Sequence, residues 1–429
     1  MTLERKLVAP VGISIALMLM GLFLRHRDLL ALAIPFLLYT ACLLYAGSAQ
    51  PRPNLKLHRT LDADRIEENG RINVTLTVTN RGASTSLVGV TEQLPAALTV
   101  VEGEASCLRV VKGNERIHLR YALLAPRGEY TLPGVRVTSW HRPPLVSSAT
   151  RLTHSTTFRV FPRREELKAI EIRPRRTRVY AGSVKANLGG EGLDFFGCRE
   201  YSSGDSMRRV NWRAYARSGS LVVNEYEQER IADVSIVLDA RERVHSDLTS
   251  KEGTFDYAVR AAASMACHFL KLGNRVGLLA YGNYLDWTYP GYGKSQQERI
   301  LDALARSTPA DKVAFEDLRY IPTRLFPSRS QLVVISPLAD ENDVEILGLL
   351  RARGYAIILI APNPIPFQLS VARSDEKRDL AGRILNLDRT ALLTALRDIE
   401  VDIVDWDITQ PLAAPASFVL SKKGRRFAW

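Results

Sequence analysis

The chain has 429 residues, 46% of them hydrophobic and 24% charged, with a formal net charge of +12. That length and apolar fraction exclude a disordered chain and leave room for two or three domains. Cys42, Cys107, Cys198 and Cys267 lie scattered without paired spacing. This pattern excludes a disulfide framework and a cysteine zinc site, and suits buried or free thiols in a reducing compartment. The basic excess fits contact with an anionic surface, either phospholipid or nucleic acid.

Residues 7–24 run apolar without a charge, Arg25, His26, Arg27 and Asp28 interrupt them, and a second apolar run covers 29–46. Two such runs joined by a short polar turn predict a transmembrane helical hairpin over 1–50. Arg5, Lys6, Arg52, Lys56 and Arg59 flank the runs on the outside, against Arg25 and Arg27 in the turn. That bias places both termini on the cytoplasmic side of a membrane. Lys422, Lys423, Arg425 and Arg426, ahead of Phe427 and Trp429, form a basic C-terminal tail that could touch anionic lipid there.

Residues 51–162 read as a β-sandwich. From Arg71 to Asn80 the apolar residues Ile72, Val74, Leu76 and Val78 alternate with polar ones, giving one buried and one wet face. Further short strands at similar spacing suggest an immunoglobulin-like arrangement. From residue 231 to 429 the rhythm changes. Continuous apolar stretches at 234–238, 275–280, 331–335, 356–361 and 401–404 alternate with helical patterns, which predicts a mostly parallel sheet covered on both faces. Ligands of such folds lie beyond the carboxyl ends of the strands, where Asp239 and Ser336 fall.

Residues 163–230 link these regions and hold the most distinctive run, Gly192-Leu-Asp-Phe-Phe-Gly-Cys-Arg-Glu-Tyr-Ser-Ser-Gly-Asp205, then Ser-Met-Arg208-Arg-Val-Asn-Trp212. Acids, arginines and aromatics in such a mixture suit a charge-assisted hydrogen-bond network with stacked guanidinium groups. The run resembles the signature of the bacterial domain-of-unknown-function 58 (DUF58) family, in which a Phe, an Arg-x-Tyr, a Gly-Asp, an Arg and a Trp precede a von Willebrand factor A-like domain. The resemblance marks Phe195, Arg199, Tyr201, Gly204, Asp205, Arg208, Trp212, Arg217 and Glu229 as partner-binding or structural signature residues. It extends over the whole chain: transmembrane helical hairpin, β-sandwich, signature, then an α/β A-type domain, in a multi-pass protein of the bacterial inner membrane.

A-type domains hold a divalent cation through Asp-x-Ser-x-Ser after the first strand. Here Asp239 keeps the first position, but Arg241 and Arg243 occupy the serine positions, and guanidinium groups repel a cation. Ser336 stands where a later acidic ligand would fall, with Asp340 four residues on. A degenerate metal site is expected, with Asp239 its one weak candidate, and no cofactor.

Gly189, Gly190 and Gly192 do not fit a phosphate-binding loop, and no nucleophile–base pair is visible. The resemblance therefore implies a membrane-anchored, non-enzymatic interaction or assembly protein working with a MoxR-type AAA+ ATPase and other A-domain proteins. One alternative is an anionic-lipid or nucleic-acid binder, prompted by Arg173, Arg175, Arg176 and Arg178, although that cluster lacks the interleaved aromatics of a stacking platform. Another is a hydrolase using Asp194 or Asp205.

Overall fold

The computed structural model of the protein describes residues 2–3, 8–25, 27–49, 54–82, 86–140, 146–167, 170, 178–245, 252–282, 285–309, 326–327, 330–338, 341–371 and 376–425. They divide into two units, Met1–Phe161 and Pro162–Trp429.

The first unit opens with β1 (Thr2–Leu3), α1 (Val8–Leu24) and α2 (Arg27–Ala49). The transmembrane hairpin expected over 1–50 is overturned, because among the described residues no helix is long and apolar enough to cross a membrane. The lengths give the reason. With 17 residues, α1 rises about 25 Å at about 1.5 Å per residue, short of a hydrocarbon core of about 30 Å. Its partner α2 has 23 residues, opens on Arg27 and Asp28 and contains Pro35. The same finding argues against a multi-pass protein of the bacterial inner membrane and removes the basis for the charge-bias orientation. Arg5, Lys6 and Arg52 lie outside the described residues.

The strands of this unit are β2 (Leu55–Leu61), β3 (Arg65–Glu67), β4 (Arg71–Asn80), β5 (Ser86–Glu92), β6 (Thr99–Gly103), β7 (Ser106–Val111), β8 (Arg116–Leu124), β9 (Gly128–Trp140) and β10 (Val146–Phe161). One sheet runs β2-β4-β8-β6; the other runs β1-β10-β9-β5-β7, with β3 beside β10. The alternation read from Arg71–Asn80 buries Ile72, Val74, Leu76 and Val78 against Val88, Val90, Leu132, Val135 and Phe158 of the other sheet. Arg59 of β2 crosses this core. It donates to the carbonyls of Leu132 and His154 at 2.9 and 2.7 Å and pairs with Glu92 at the end of β5, both side chains fully buried.

The second unit begins with a long hairpin, β11 (Arg178–Glu200) and β12 (Val222–Ile231), whose connection carries α3 (Trp212–Ser218). There follow β13 (Asp233–Asp239), α4 (Thr254–Lys271), β14 (Arg275–Tyr281), β15 (Leu285–Gly291), α5 (Gly293–Arg306), β16 (Gln331–Ile335), α6 (Glu341–Ala352), β17 (Ala356–Asn363), α7 (Ile365–Val371), α8 (Glu376–Asp398), β18 (Asp402–Asp407) and α9 (Ala413–Arg425). The sheet order is β15-β14-β13-β16-β17-β18. All neighbours are parallel except β15, which runs antiparallel at the edge. Val237, Leu279, Leu332, Val334, Ile357 and Leu359 face α6 and α8. The alternate residues, among them Ile236, Leu238, Leu278 and Val333, point to the opposite face, where α4 packs. Burial on both faces explains why these strands are apolar without alternation. The chain order reverses between β13 and β16, so the crevice of the fold opens at their carboxyl ends.

Candidate functional site

Two places in the second unit gather side chains singled out by the sequence. The first is the connection between β11 and β12. Arg199, near the end of β11, donates from Nη1 and Nη2 to Asp205 Oδ2 and Oδ1 at 2.7 and 2.6 Å, and from Nε to Glu225 Oε1 at 2.9 Å. The register partner of Arg199 on β12 is Val223. Glu225 therefore stands at the diagonal position, from which a long side chain reaches across a strand pair. Both prongs of the guanidinium fork meet Asp205, the geometry that arginine offers and lysine does not.

Asp205 also closes the following turn. Ser202 N–H donates to its Oδ2 at 2.8 Å, and its own N–H donates to Ser202 O at 3.0 Å. Gly204 there takes a φ of +113°, a region that side-chain-bearing residues avoid. The hydrogen bonds from Arg199 and then from the Ser202 amide hold the Asp205 carboxyl below its ordinary range. The bonds to Asp205 and Glu225 in turn raise the Arg199 guanidinium.

Farther along, Asn211 caps α3 by accepting from Ala214 N–H at 3.0 Å, while its Nδ2 donates to Asn224 Oδ1 at 2.9 Å. Tyr201 N–H donates to Leu221 O and Asn211 N–H to Val222 O, pinning the connection onto β12. What remains points outward. Phe195, Met207, Trp212 and Tyr215 are exposed, and the Trp212 and Tyr215 rings meet edge to face at 6.2 Å. Arg208, Arg213 and Arg217 are exposed too. Glu229 lies on β12 with its side chain outside the described residues, as do the side chain of Asp194 and all of Arg173, Arg175 and Arg176. The signature residues thus split: Arg199, Gly204 and Asp205 build the turn, whereas Phe195, Arg208, Trp212 and Arg217 form its surface.

The second place is the crevice. Asp239 ends β13, and Arg241 N–H donates to its Oδ1 at 3.1 Å, a local turn that folds the Arg241 side chain back inward. The guanidinium then lies along the carboxylate, Nε 2.9 Å from Oδ1 and Nη2 2.7 Å from Oδ2, and Nη2 also reaches Asp343 Oδ2 at 2.9 Å. Ser336 Oγ, just beyond β16, donates to Asp239 Oδ2 at 2.7 Å. Arg241 is only 3% exposed, and both carboxylates are fully buried. Burial pulls the arginine pKa down, but the hydrogen bonds and charge of Asp239, then of Asp343, outweigh it and raise it.

His245 completes the cluster from the side. Its Nε2 lies 2.7 Å from the Asp239 carbonyl oxygen, which can only accept, so this nitrogen carries the proton; Nδ1 then accepts from Thr254 Oγ1 at 3.3 Å. Burial lowers its pKa. One strand farther along the same sheet edge, Arg389 donates to Pro337 O, Ala361 O and Asp405 at 2.9, 2.9 and 2.7 Å. Arginines of the chain itself therefore fill the edge where such a sheet would hold a ligand.

Residues 197–363 match the family described as protein of unknown function DUF58. The DUF58 match begins inside the Arg199 turn and ends with β17, so it takes in both polar clusters. No curated protein matches this sequence. Among solved structures, the FixG-related protein from Vibrio parahaemolyticus aligns at 12% identity over 26% of this chain and 98% of its own, with a TM-score of 0.18. The cupredoxin domain of amoB from Nitrosocaldus yellowstonii aligns at 8% over 26% and 88%, TM-score 0.19. The PapD-like domain 7 of human CEP192 aligns at 14% over 25% and 88%, TM-score 0.18. Scores this low carry no argument about this chain.

Asp343 and His245 belong to the crevice cluster, yet nothing in their spacing announces them. Asp343 stands in the first turn of α6, and only the fold brings it under Arg241. Asp340, the acid the sequence placed near this edge, lies outside the described residues.

Proposed function

We propose that the DUF58-matching unit is a von Willebrand factor A-like domain and that the chain is a non-enzymatic interaction or assembly protein. Its proposed partner is a MoxR-type AAA+ ATPase, with other A-domain proteins as further members of the assembly. The observation that carries this reading is the position of Arg241. A carboxylate tied to a guanidinium by two hydrogen bonds is a poor general base, and a divalent cation would need the place the guanidinium fills. The residues present therefore do not fit a metal. Asp205, the acid a hydrolase reading would use, is equally committed to Arg199. What the signature leaves for solvent is Trp212, Tyr215, Phe195 and arginines, the residue types that dominate binding energy at protein interfaces.

The test is titration calorimetry of the full chain against a MoxR-type ATPase held in its ATP and ADP states. Binding in at least one state is expected, with Trp212→Ala weakening it about tenfold, equivalent to about 1.4 kcal/mol. Absence of binding in both states, or turnover of hydrolase substrates by the chain alone, overturns the reading.

A further inference from the structure

We infer that the exposed face of α3 takes an acidic peptide segment bearing an apolar anchor, presented by the protein partner. This rests on the reading of the signature surface as the partner-binding face, and names the chemistry that face would recognise.

Successive residues of α3 turn by roughly 100°. Ala214 is the half-buried residue of this helix, and the others are exposed. Passing around the exposed side, one meets Tyr215, Trp212, Ala216, Arg213 and Arg217 in turn. The aromatic pair therefore occupies one flank and the two guanidinium groups the other, with the small Ala216 as a shelf between them. Met207, 57% exposed, precedes the helix and adds apolar surface.

Charge decides the occupant. The nearby carboxylates Asp205 and Glu225 are both spent on Arg199. Among the described residues neither Arg213 nor Arg217 has an ion-pair partner, and neither has Arg208 in the 3-10 turn before the helix. Arg213 and Arg217 stand four residues apart, where like charges on a helix repel. Carboxylates from a partner would turn that repulsion into charge-assisted hydrogen bonds, while an apolar side chain of the same segment packs against Trp212 and Tyr215. A nucleic acid strand is the less suitable anion. Its bases need ring faces on which to stack, and Trp212 and Tyr215 stand at 90° to each other, so they do not present a continuous platform.

The test selects a displayed library of random short peptides on the full chain, with an Arg213→Glu, Arg217→Glu chain as counter-selection. Both arginines are exposed, so the altered chain should keep its fold, which its circular dichroism and melting temperature check. Expected are enriched sequences that are net acidic and contain a Leu, Phe, Trp or Met. Synthetic versions should bind the full chain and lose about tenfold or more on the charge-reversed chain and on Trp212→Ala. They should also weaken as salt rises. Enrichment of neutral or basic peptides overturns the inference, as does failure to enrich any that discriminate. Tighter binding of a single-stranded DNA oligonucleotide than of every selected peptide also overturns it. An ATPase bound undiminished by the charge reversal keeps the proposed partner but sinks this inference. Acidic peptides that bind while no ATPase does would support the inference and remove that partner.

Discussion

The Arg241 guanidinium spans both carboxylate oxygens of Asp239, at 2.9 and 2.7 Å, inside a cluster that solvent barely reaches. A charge so placed acts as a cation that the chain supplies to itself, and its removal leaves Asp239 and Asp343 buried side by side.

Arg241→Ser should therefore destabilise the second unit by about 3–5 kcal/mol, the usual result of breaking a buried ion pair from one side. The serine would also add a hydroxyl to Asp239, Asp343 and Ser336, an all-oxygen set that suits a hard divalent ion. Manganese or magnesium should then raise the melting temperature of the variant and leave that of the parent chain unmoved. At about a hundredfold excess over Kd the recovery would be about 2.7 kcal/mol. A variant as stable as the parent, or one indifferent to both ions, would show that Arg241 does not stand in for a cation.

The first unit offers a parallel case in Arg59 and Glu92, both fully buried between the sheets. Burial raises the Glu92 pKa despite the opposing charge of Arg59. Arg59→Leu should cost about 3–5 kcal/mol, because Glu92 would remain buried without its cation. Adding Glu92→Leu should recover part of that loss, with the carbonyls of Leu132 and His154 setting the remainder. Urea unfolding of the two single variants and the double variant measures the coupling. Strictly additive losses would show that the two side chains do not act as a pair.

Much of the fold was legible because burial writes itself into sequence period. Strict alternation announced β4, which has one wet face, and apolar runs, interrupted in β13 only by the buried Ser235, announced β13, β16 and β17, which have none. The edge strand β15 carries Asp286, Trp287, Thr288 and Tyr289 and offers no such run. The first half of helix α8 is equally hard to read, because its apolar residues Leu380, Ile384 and Leu387 stay exposed and mark no buried face. The apolar character of α1 was equally visible, but its length is set by where the helix ends, and that decided against a membrane span. In the site, the resemblance singled out Arg241 two residues after Asp239, and the structure places its guanidinium against that carboxylate. Spacing could not show that the side chain turns inward and fills the position, because Asp343 arrives from a helix a hundred residues away.

The Arg199–Asp205 pair predicts a local pH dependence. The folded pKa of Asp205 is lowered, so its contribution is fully present above the unfolded value near 3.9 and is lost as pH falls through the lower folded value. Amides of Ser202, Asp205 and Asn211 should therefore lose protection, relative to their intrinsic exchange rates at the same pH, in acid before the amides of β13 and β16 do. Asp205→Asn should produce the same loss of protection at neutral pH, since it removes the charge while keeping an acceptor. Unchanged exchange at Ser202 in that variant would show that the carboxylate does not hold the turn.

His245 should impose a second pH dependence, at higher pH and on the whole second unit. Burial lowers its folded pKa below the usual value near 6.5, and burial lowers His268 as well. Between the folded and unfolded values the unfolded chain binds a proton that the folded chain refuses. Stability must therefore fall as pH drops below about 6.5, and level off only beneath the folded value. His245→Gln keeps a donor for the Asp239 carbonyl but cannot titrate. Its stability should fall less steeply between about pH 7 and pH 5.5 than that of the parent chain, with His268 responsible for part of the residual slope. Denaturant unfolding at several pH values reads this directly: equal slopes in the two proteins would mean that His245 takes up its proton as readily folded as unfolded.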